Sequence, residues 1–117
     1  MIDVPTAPQR LYQGVPGTGE TTLYTAKKKV IIRSIHYSGD ATGGTITVHN
    51  RPGGAAAAAA NALAQAFAVA AAAVGDLAGQ AGVPGAIVME AGDVLSAAQS
   101  SGTHITLTVS GEVQVQN

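Results

Sequence analysis

The segment Gly14 to Thr21 comes closest to a known chemical motif. It reads GVPGTGET, which follows the phosphate-binding pattern G-x-x-x-x-G-K-[ST] at every fixed position except the lysine. That lysine supplies positive charge to the nucleotide phosphates, whereas Glu20 at the same position repels them. The motif also requires a strand before it and a helix after it, and Pro16 and the strand-like Thr22 to Thr25 provide neither. The sequence therefore predicts a Gly- and Pro-rich surface loop rather than a nucleotide site.

Three histidines, His36, His49 and His104, fall in predicted strands. Histidines that meet on one face of a sheet are one way to build a metal site. A metal-binding histidine usually donates its second ring N–H to a carboxylate, and these strands offer no neighbouring Asp or Glu for that purpose. We therefore expect ordinary exposed or half-buried histidines, with no bound metal and no other cofactor.

Serine nucleophiles and carboxylate pairs are the remaining routes to catalysis. No serine lies in a G-x-S-x-G elbow, the turn that presents a nucleophilic serine in many hydrolases. The serines are Ser34, Ser38, Ser96, Ser100, Ser101 and Ser110. The candidate carboxylates each lie in a turn signal, where acidic residues are common for structural reasons. They are Asp40, Glu90, Asp93 and Glu112. The sequence predicts no catalytic residue, and we expect a protein that is not an enzyme.

Composition predicts one small domain with a thin core. The 117 residues fit a single domain, and 46% of them are hydrophobic, but 23 are Ala and only four are aromatic. A core that is short of large apolar side chains has little hydrophobic free energy to offset chain entropy. Burial of surface against identical copies would supply the difference, so we expect identical subunits as partners.

Charge and hydropathy argue against several other partners. Six Lys and Arg nearly balance seven Asp and Glu, so the net charge of -1 creates no field that attracts nucleic acid or an anionic membrane. There is no cysteine for a disulfide or a thiolate metal site. The longest apolar stretch, Ala55 to Val74, is mostly alanine, which gains little from lipid. The N-terminus lacks the pattern of a signal peptide, and we expect assembly in a cytoplasm.

The periodicity of the chain predicts an extended N-terminal arm over residues 1–20 and a β domain over residues 21–117. Three prolines in the arm favour a segment that lies along a surface or a neighbour, since proline lacks an amide donor. Alternating or β-branched runs predict strands in the rest of the chain. They are Leu23 to Thr25, Val30 to Tyr37, Thr45 to His49, Ile87 to Met89, Val94 to Leu95, Thr103 to Val109 and Glu112 to Gln116.

The connections between these strands are also predicted. Glu90 to Asp93 forms the turn of a hairpin-like unit, and Ser110-Gly111 forms the turn before the last strand. Alternation puts Ile46 and Val48 on one face of their strand. The segment Ala55 to Val74 fits a helix by propensity, but its parity and its flanking glycines also fit short strands and turns, so the pattern leaves both open.

The order of strand and turn signatures resembles that of small virion proteins of tailed bacteriophages. Two matching segments lie in the first half of the chain: TTLYT at Thr21 to Thr25, and the strand Lys29 to His36, which ends in Ser-Ile-His. Two more follow in the second half: the turn AGD-x-L within Ile87 to Ala97, and VSGE at the end of Ile105 to Glu112. The resemblance spans roughly Thr21 to Val115. The chain departs from the family at its first turn, where Ala26-Lys27-Lys28-Lys29 replaces a Pro-Ala-Gly sequence.

This resemblance implies a small antiparallel β-sandwich of jelly-roll type, in which Asn61 to Leu77 is strand, turn and strand. It also implies a structural virion protein, as a head decoration, neck or tail accessory protein, that forms a trimer or another cyclic homo-oligomer and contacts other virion proteins. The alternative is a receptor- or glycan-binding adhesion module. Glycan sites favour exposed aromatic rings, for which Tyr12, Tyr24 and Tyr37 are the candidates.

Overall fold

Two antiparallel sheets pack face to face and confirm the all-β prediction. The computed structural model describes residues 6–79, 83–100 and 102–114. Short 3-10 turns occur at Pro52–Gly54 and Ala59–Asn61. The strands of the described residues are β1 (Thr6–Gly14), β2 (Thr21–Thr25), β3 (Val30–Gly39), β4 (Gly44–Arg51), β5 (Ala62–Val69), β6 (Val74–Asp76), β7 (Ile87–Met89), β8 (Val94–Gln99) and β9 (Ile105–Gln114).

The strand pairs are nested like one long hairpin that has been rolled up. β1 pairs with β9, β2 with β8, β3 with β6, and β4 with β5. Rolling brings β9 beside β3 and β8 beside β4. Sheet A therefore has the order β1-β9-β3-β6, with the short β7 also on β3, and sheet B has the order β2-β8-β4-β5. This arrangement is a jelly roll, the type of sandwich that the resemblance to small virion proteins implied.

Nine of the twenty residues predicted as an N-terminal arm are part of the sandwich. Residues 6–14 form β1, the edge strand of sheet A, and residues 1–5 lie outside the described residues. Pro8 is compatible with this position because an edge strand has a side on which no amide donor is needed. Leu11 and Tyr12 pack partly against the core, which explains why the segment joins the sheet.

Alternating side chains from both sheets fill the core. Ile46 and Val48 are buried on one face of β4, as predicted. Aliphatic residues supply nearly all the large buried side chains, and the aromatic contribution is an edge-to-face contact between Tyr37 and Phe67, whose ring centroids are 5.3 Å apart. The largest fully buried side chains are Ile32, Ile35, Ile46, Leu77, Met89, Leu95, Ile105 and Leu107. The core is therefore almost entirely aliphatic, in keeping with the few aromatic residues of the composition.

The alanine-rich segment is strand, turn and strand, so the helical alternative is wrong for residues 62–76. β5 pairs with β4 through a bulge in which Ala66 has a positive φ of 50°, and Ala66 N–H donates to the Thr47 hydroxyl at 2.9 Å. Residues 70–73 then turn into β6. Tertiary pairing outweighs the helix propensity of alanine here, because β4 offers a ladder partner and the core offers burial to Ala64 and Val69.

Two predicted connections are wrong. β7 and β8 do not form a hairpin: β7 pairs with β3 in sheet A, whereas β8 lies in sheet B, so the turn at Glu90 to Asp93 crosses between the sheets. Ser110-Gly111 is not a turn, because β9 runs without interruption to Gln114. The predicted last strand is therefore the end of β9, and its residues 115 and 116 lie outside the described residues.

Candidate functional site

An open groove of about 500 Å³ lies on sheet A and is lined mainly by polar and charged residues. It lies over the middle of the β1-β9-β3 ladder. Both neighbours of β9 are bulged at this point: β1 carries an extra residue at Leu11, and β3 carries one at Arg33. The residues that line the groove are Pro8, Gln9, Arg10, Arg33, Ser110, Gly111 and Glu112.

The bulges place two arginines on either side of β9. Arg10 lies directly opposite Ser110 across the β1–β9 ladder, and Arg33 is the extra residue between the β3 positions that face Gly111 and Ser110. Bulges often redirect a side chain at a functional position. Neither arginine is predicted from the sequence as a site residue, because nothing in the residues around it indicates that two strands bulge at the same place.

Glu112 holds Arg33 in the groove. The Arg33 Nε–H donates to Oε2 of Glu112 at 2.8 Å, and the Thr6 hydroxyl donates to Oε1 at 2.8 Å. The hydrogen bond from Thr6, followed by that from Arg33, lowers the pKa of Glu112 below its ordinary value. Glu112 therefore has structural partners and lies in a strand, which agrees with the strand predicted from Glu112 and shows that its assignment to a turn is wrong.

Gly111 allows the backbones of β9 and β3 to approach closely beneath the groove. A Cβ atom at this position would lie 2.2 Å from the backbone oxygen of Ile31 and 3.0 Å from Cα of Ile32. Both neighbours are backbone atoms, so they cannot move aside without a shift of the strand. The glycine that the sequence analysis assigned to a turn is therefore required by close packing within the sheet.

The near-miss phosphate loop has a structural role. Residues 15–20 connect β1 to β2, so no helix follows the loop. Glu20 Oε2 accepts hydrogen bonds from His49 Nδ1 at 3.0 Å and from the Ser96 hydroxyl. A Ser, a His and a Glu thus meet, but the serine bonds the carboxylate rather than the imidazole and is completely buried. This geometry does not present a nucleophile to a substrate.

The three histidines do not meet. His36 lies in sheet A, His49 lies in sheet B, and His104 immediately precedes β9. Within residues 6–79, 83–100 and 102–114, no three His, Asp or Glu side chains are grouped as a metal site requires. Two of the histidines have carboxylate partners from distant parts of the chain, which the search along the strands missed: His49 with Glu20, and His104 with Asp40.

The Asp40 carboxylate organises the loop between β3 and β4. It accepts a hydrogen bond from His104 Nδ1 at 2.8 Å and two more from the backbone N–H groups of Thr42 and Gly43, at 2.8 and 3.1 Å. The bond from His104, followed by that from Thr42, lowers the pKa of Asp40. A carboxylate that is stabilised in its charged form by such bonds is a poor general base near neutral pH.

Other carboxylates also hold loops. Asp93 accepts from the backbone N–H groups of Gly53 at 2.9 Å and Glu90 at 3.0 Å, which fits its predicted turn role. Asp76, which the sequence analysis did not consider, accepts from the Ser34 hydroxyl and from the backbone N–H groups of Ile35 and Ala78. These bonds tie β6 and the following residues to β3.

The tyrosines proposed as glycan platforms are only partly available. Tyr37 is buried against the core, and Tyr12 and Tyr24 are half-buried.

The described part of the chain has no helix that is long and apolar enough to cross a bilayer. Comparisons with protein-family models, curated proteins and solved structures found no match to this chain.

Proposed function

We propose that this chain is a structural virion protein of a tailed bacteriophage that assembles as a trimer or another cyclic homo-oligomer. The jelly roll supports this proposal because it is a recurrent architecture of viral capsid domains, although lectins and other proteins also use it. The strand and turn signatures between Thr21 and Glu112 support it further. The bonded roles of Glu20, Asp76 and Asp93 are those of a rigid scaffold.

The proposal of a homo-oligomer rests mainly on the uncharged sequence of the edge strand β5. Its sequence, ALAQAFAV, contains no charged residue and no proline. Soluble proteins usually protect a sheet edge with lysine or proline, as β1 does in the opposite sheet with Pro8 and Arg10, whereas β5 has only the bulge at Ala66. Leu63 and Phe67 are only half-buried in the isolated subunit, and Ala68 is exposed.

A second copy of the chain is the partner that this edge fits best. Its side chains are mainly small, so another backbone can approach closely, and Leu63 and Phe67 would lose their remaining exposure to water. A contact between β5 and a different surface of the next copy generates a ring when the rotation closes. Such a ring buries apolar surface at β5 that is exposed to water in the isolated subunit.

Light scattering after size-exclusion chromatography tests the assembly. At micromolar concentration, the wild-type chain is expected at a multiple of its 11.5 kDa mass. Ala68→Lys introduces a charge at the edge and is expected to yield folded monomers with an unchanged circular dichroism spectrum. Ala57→Lys, in the exposed segment before β5, is the matched control and should remain oligomeric. A wild-type monomer, or equal dissociation of both variants, argues against the proposed interface.

The location in a virion needs its own experiment. Purified particles of the phage that encodes this chain are expected to retain it through density-gradient centrifugation, and a cryo-EM map is expected to place the jelly roll on the head, neck or tail in contact with other virion proteins. If the chain is found only in the lysate and never with particles, the proposed virion role is wrong even where the oligomer forms.

A further inference from the structure

The groove on sheet A contains two guanidinium groups and one carboxylate. Arg10 and Arg33 lie on the two strands that flank β9, so their backbones are separated by two strand spacings, roughly 10 Å. Both side chains line the same depression, and Ser110 lies on the strand between them. Two long cationic side chains that border one shallow groove are well placed to bind the same anionic group from opposite sides.

The two arginines contribute in different ways. The bond from Arg33 Nε to Glu112 fixes the orientation of that guanidinium, and no other hydrogen bond is described for its terminal nitrogens, which can therefore donate to a ligand. Arg10 is exposed and has no ion pair among the described residues. One fixed and one adaptable guanidinium can together take up a carboxylate in a two-sided arrangement.

The remaining lining identifies the rest of the ligand. Ser110 supplies a hydroxyl, and Glu112 can accept a hydrogen bond from a ligand hydroxyl; both lie on the same face of the β1–β9 ladder as Arg10. Pro8 is the only apolar side chain of the lining besides the bare backbone of Gly111. Protein partners are usually anchored by aromatic or large apolar side chains in a pocket, and this groove offers no such pocket.

We propose that this groove is a binding site for an acidic sugar of the hexuronate class, with the carboxylate between Arg10 and Arg33 and the ring hydroxyls on Ser110 and Glu112. The site does not depend on the proposed virion role, because it lies on sheet A and the proposed interface lies at the edge of sheet B. Specificity for a hexuronate requires both parts of the site, since the arginines recognise only the charge.

A titration followed by heteronuclear NMR tests the site on the full chain. Glucuronate is expected to produce saturable shifts at the groove residues, whereas glucose, which lacks the carboxylate, and acetate, which lacks the hydroxyls, are each expected to bind at least about tenfold more weakly. Added salt should weaken the binding of glucuronate. A triglutamate peptide serves as the probe for an acidic protein segment.

Three variants distinguish specific binding in the groove from general electrostatic attraction between the ligand and the protein. Arg10→Gln is expected to lower the affinity for glucuronate about tenfold or more, and Arg10→Lys should recover only part of it, because lysine lacks the guanidinium fork. Lys27→Gln removes the same charge from an exposed turn and should leave the affinity unchanged. Since Arg10 has no described ion pair, its replacement tests the site without loss of the Arg33–Glu112 bond.

Several results would overturn the proposal. Equal binding of acetate and glucuronate would reduce the groove to a carboxylate site with no sugar specificity. Tighter binding of triglutamate than of glucuronate would assign the groove to an acidic protein segment. Equal loss of affinity in Arg10→Gln and Lys27→Gln would leave only general electrostatic attraction, and an absence of saturable shifts would remove the site altogether.

Discussion

The Oε2 atom of Glu20 lies 3.0 Å from Nδ1 of His49, although 29 positions separate the two residues in the chain. The same oxygen accepts a hydrogen bond from Ser96, which lies directly opposite His49 in the β4–β8 ladder. One carboxylate thus joins the loop before β2 to two strands of sheet B. Because His49 and Ser96 are both buried, the loss of this acceptor leaves polar groups with little access to water.

The first prediction concerns the position that breaks the phosphate-loop motif. Glu20→Lys completes the motif in sequence, but it is expected to lower the free energy of unfolding by about 1–3 kcal/mol, because His49 and Ser96 lose their acceptor. It is not expected to create nucleotide binding, since a strand follows the loop. Urea denaturation at a fixed protein concentration and calorimetric titration with Mg-ATP measure the two effects.

Glu90→Lys is the charge-matched control for this substitution. Glu90 lies exposed in the turn between β7 and β8, and the change should alter stability by no more than about 0.5 kcal/mol. Micromolar Mg-ATP binding by Glu20→Lys would show that the loop can still cradle phosphates, contrary to our interpretation.

The second prediction concerns Asp76. Asp76→Ala removes the acceptor for the Ile35 and Ala78 backbone N–H groups, at 3.1 and 2.8 Å, and is expected to destabilise the fold by at least about 2 kcal/mol in urea denaturation. Asp76→Asn keeps an oxygen that can accept both bonds and should lose less than half as much. If the two variants are equally unstable, the negative charge matters more than the hydrogen bonds.

The third prediction concerns pH. Because the pKa of Asp40 is lowered in the folded chain, chiefly by His104, this carboxylate adds stability above the ordinary aspartate pKa of about 3.9 and loses it as the pH falls through the lower folded value. His104→Ala is expected to raise the pKa of Asp40 in an NMR titration. The rise should stop short of the ordinary value, since the Thr42 and Gly43 bonds remain.

Glu112 is an internal reference for the same titration. Its lowered pKa arises from Thr6 and Arg33, so it should be the same in the wild type and in His104→Ala. An unchanged Asp40 pKa in the variant would mean that the backbone donors alone stabilise its charged form. A parallel change at Glu112 would mean that the substitution disturbs the fold as a whole.

The fourth prediction concerns Gly111, where β9 lies close against the backbone of β3 beneath the groove. Gly111→Ala is expected to cost about 1–3 kcal/mol or more, because the new Cβ would lie 2.2 Å from the Ile31 oxygen. Gly19→Ala is the control: no heavy atom lies within 4 Å of its added Cβ, and the change should be nearly neutral or slightly stabilising. Denaturant unfolding of both variants provides the comparison, and equal stabilities would contradict the close packing.

The parts of the fold that sequence predicts are those set by local periodicity. Alternation identified the buried face of β4, with Ile46 and Val48, because each side chain's face depends only on its parity. The assignment of β7 and β8 to different sheets depends on partners far away in the chain, and a short turn between them gives no sign of it. For β5, propensity and pattern disagreed, and only the β4 ladder decides between them.

The candidate groove could not be predicted from the sequence for the same reason. Arg10 and Arg33 come together because β9 pairs with both of their strands, and because each strand carries one extra residue near Ser110. Likewise, the partners of His49 and His104 are carboxylates in loops that only the folded chain brings near. A search for acidic neighbours within one strand could not find them.

The pairing of the first strand with the last has a consequence for synthesis of the chain. Thr6 lies opposite Gln114, so β1 has no native ladder partner while nearly all of the domain is still being translated. At about 5–20 residues per second, this interval lasts several seconds or more. The arginine and proline that protect β1 at the sheet edge can therefore also discourage premature association between nascent chains on neighbouring ribosomes.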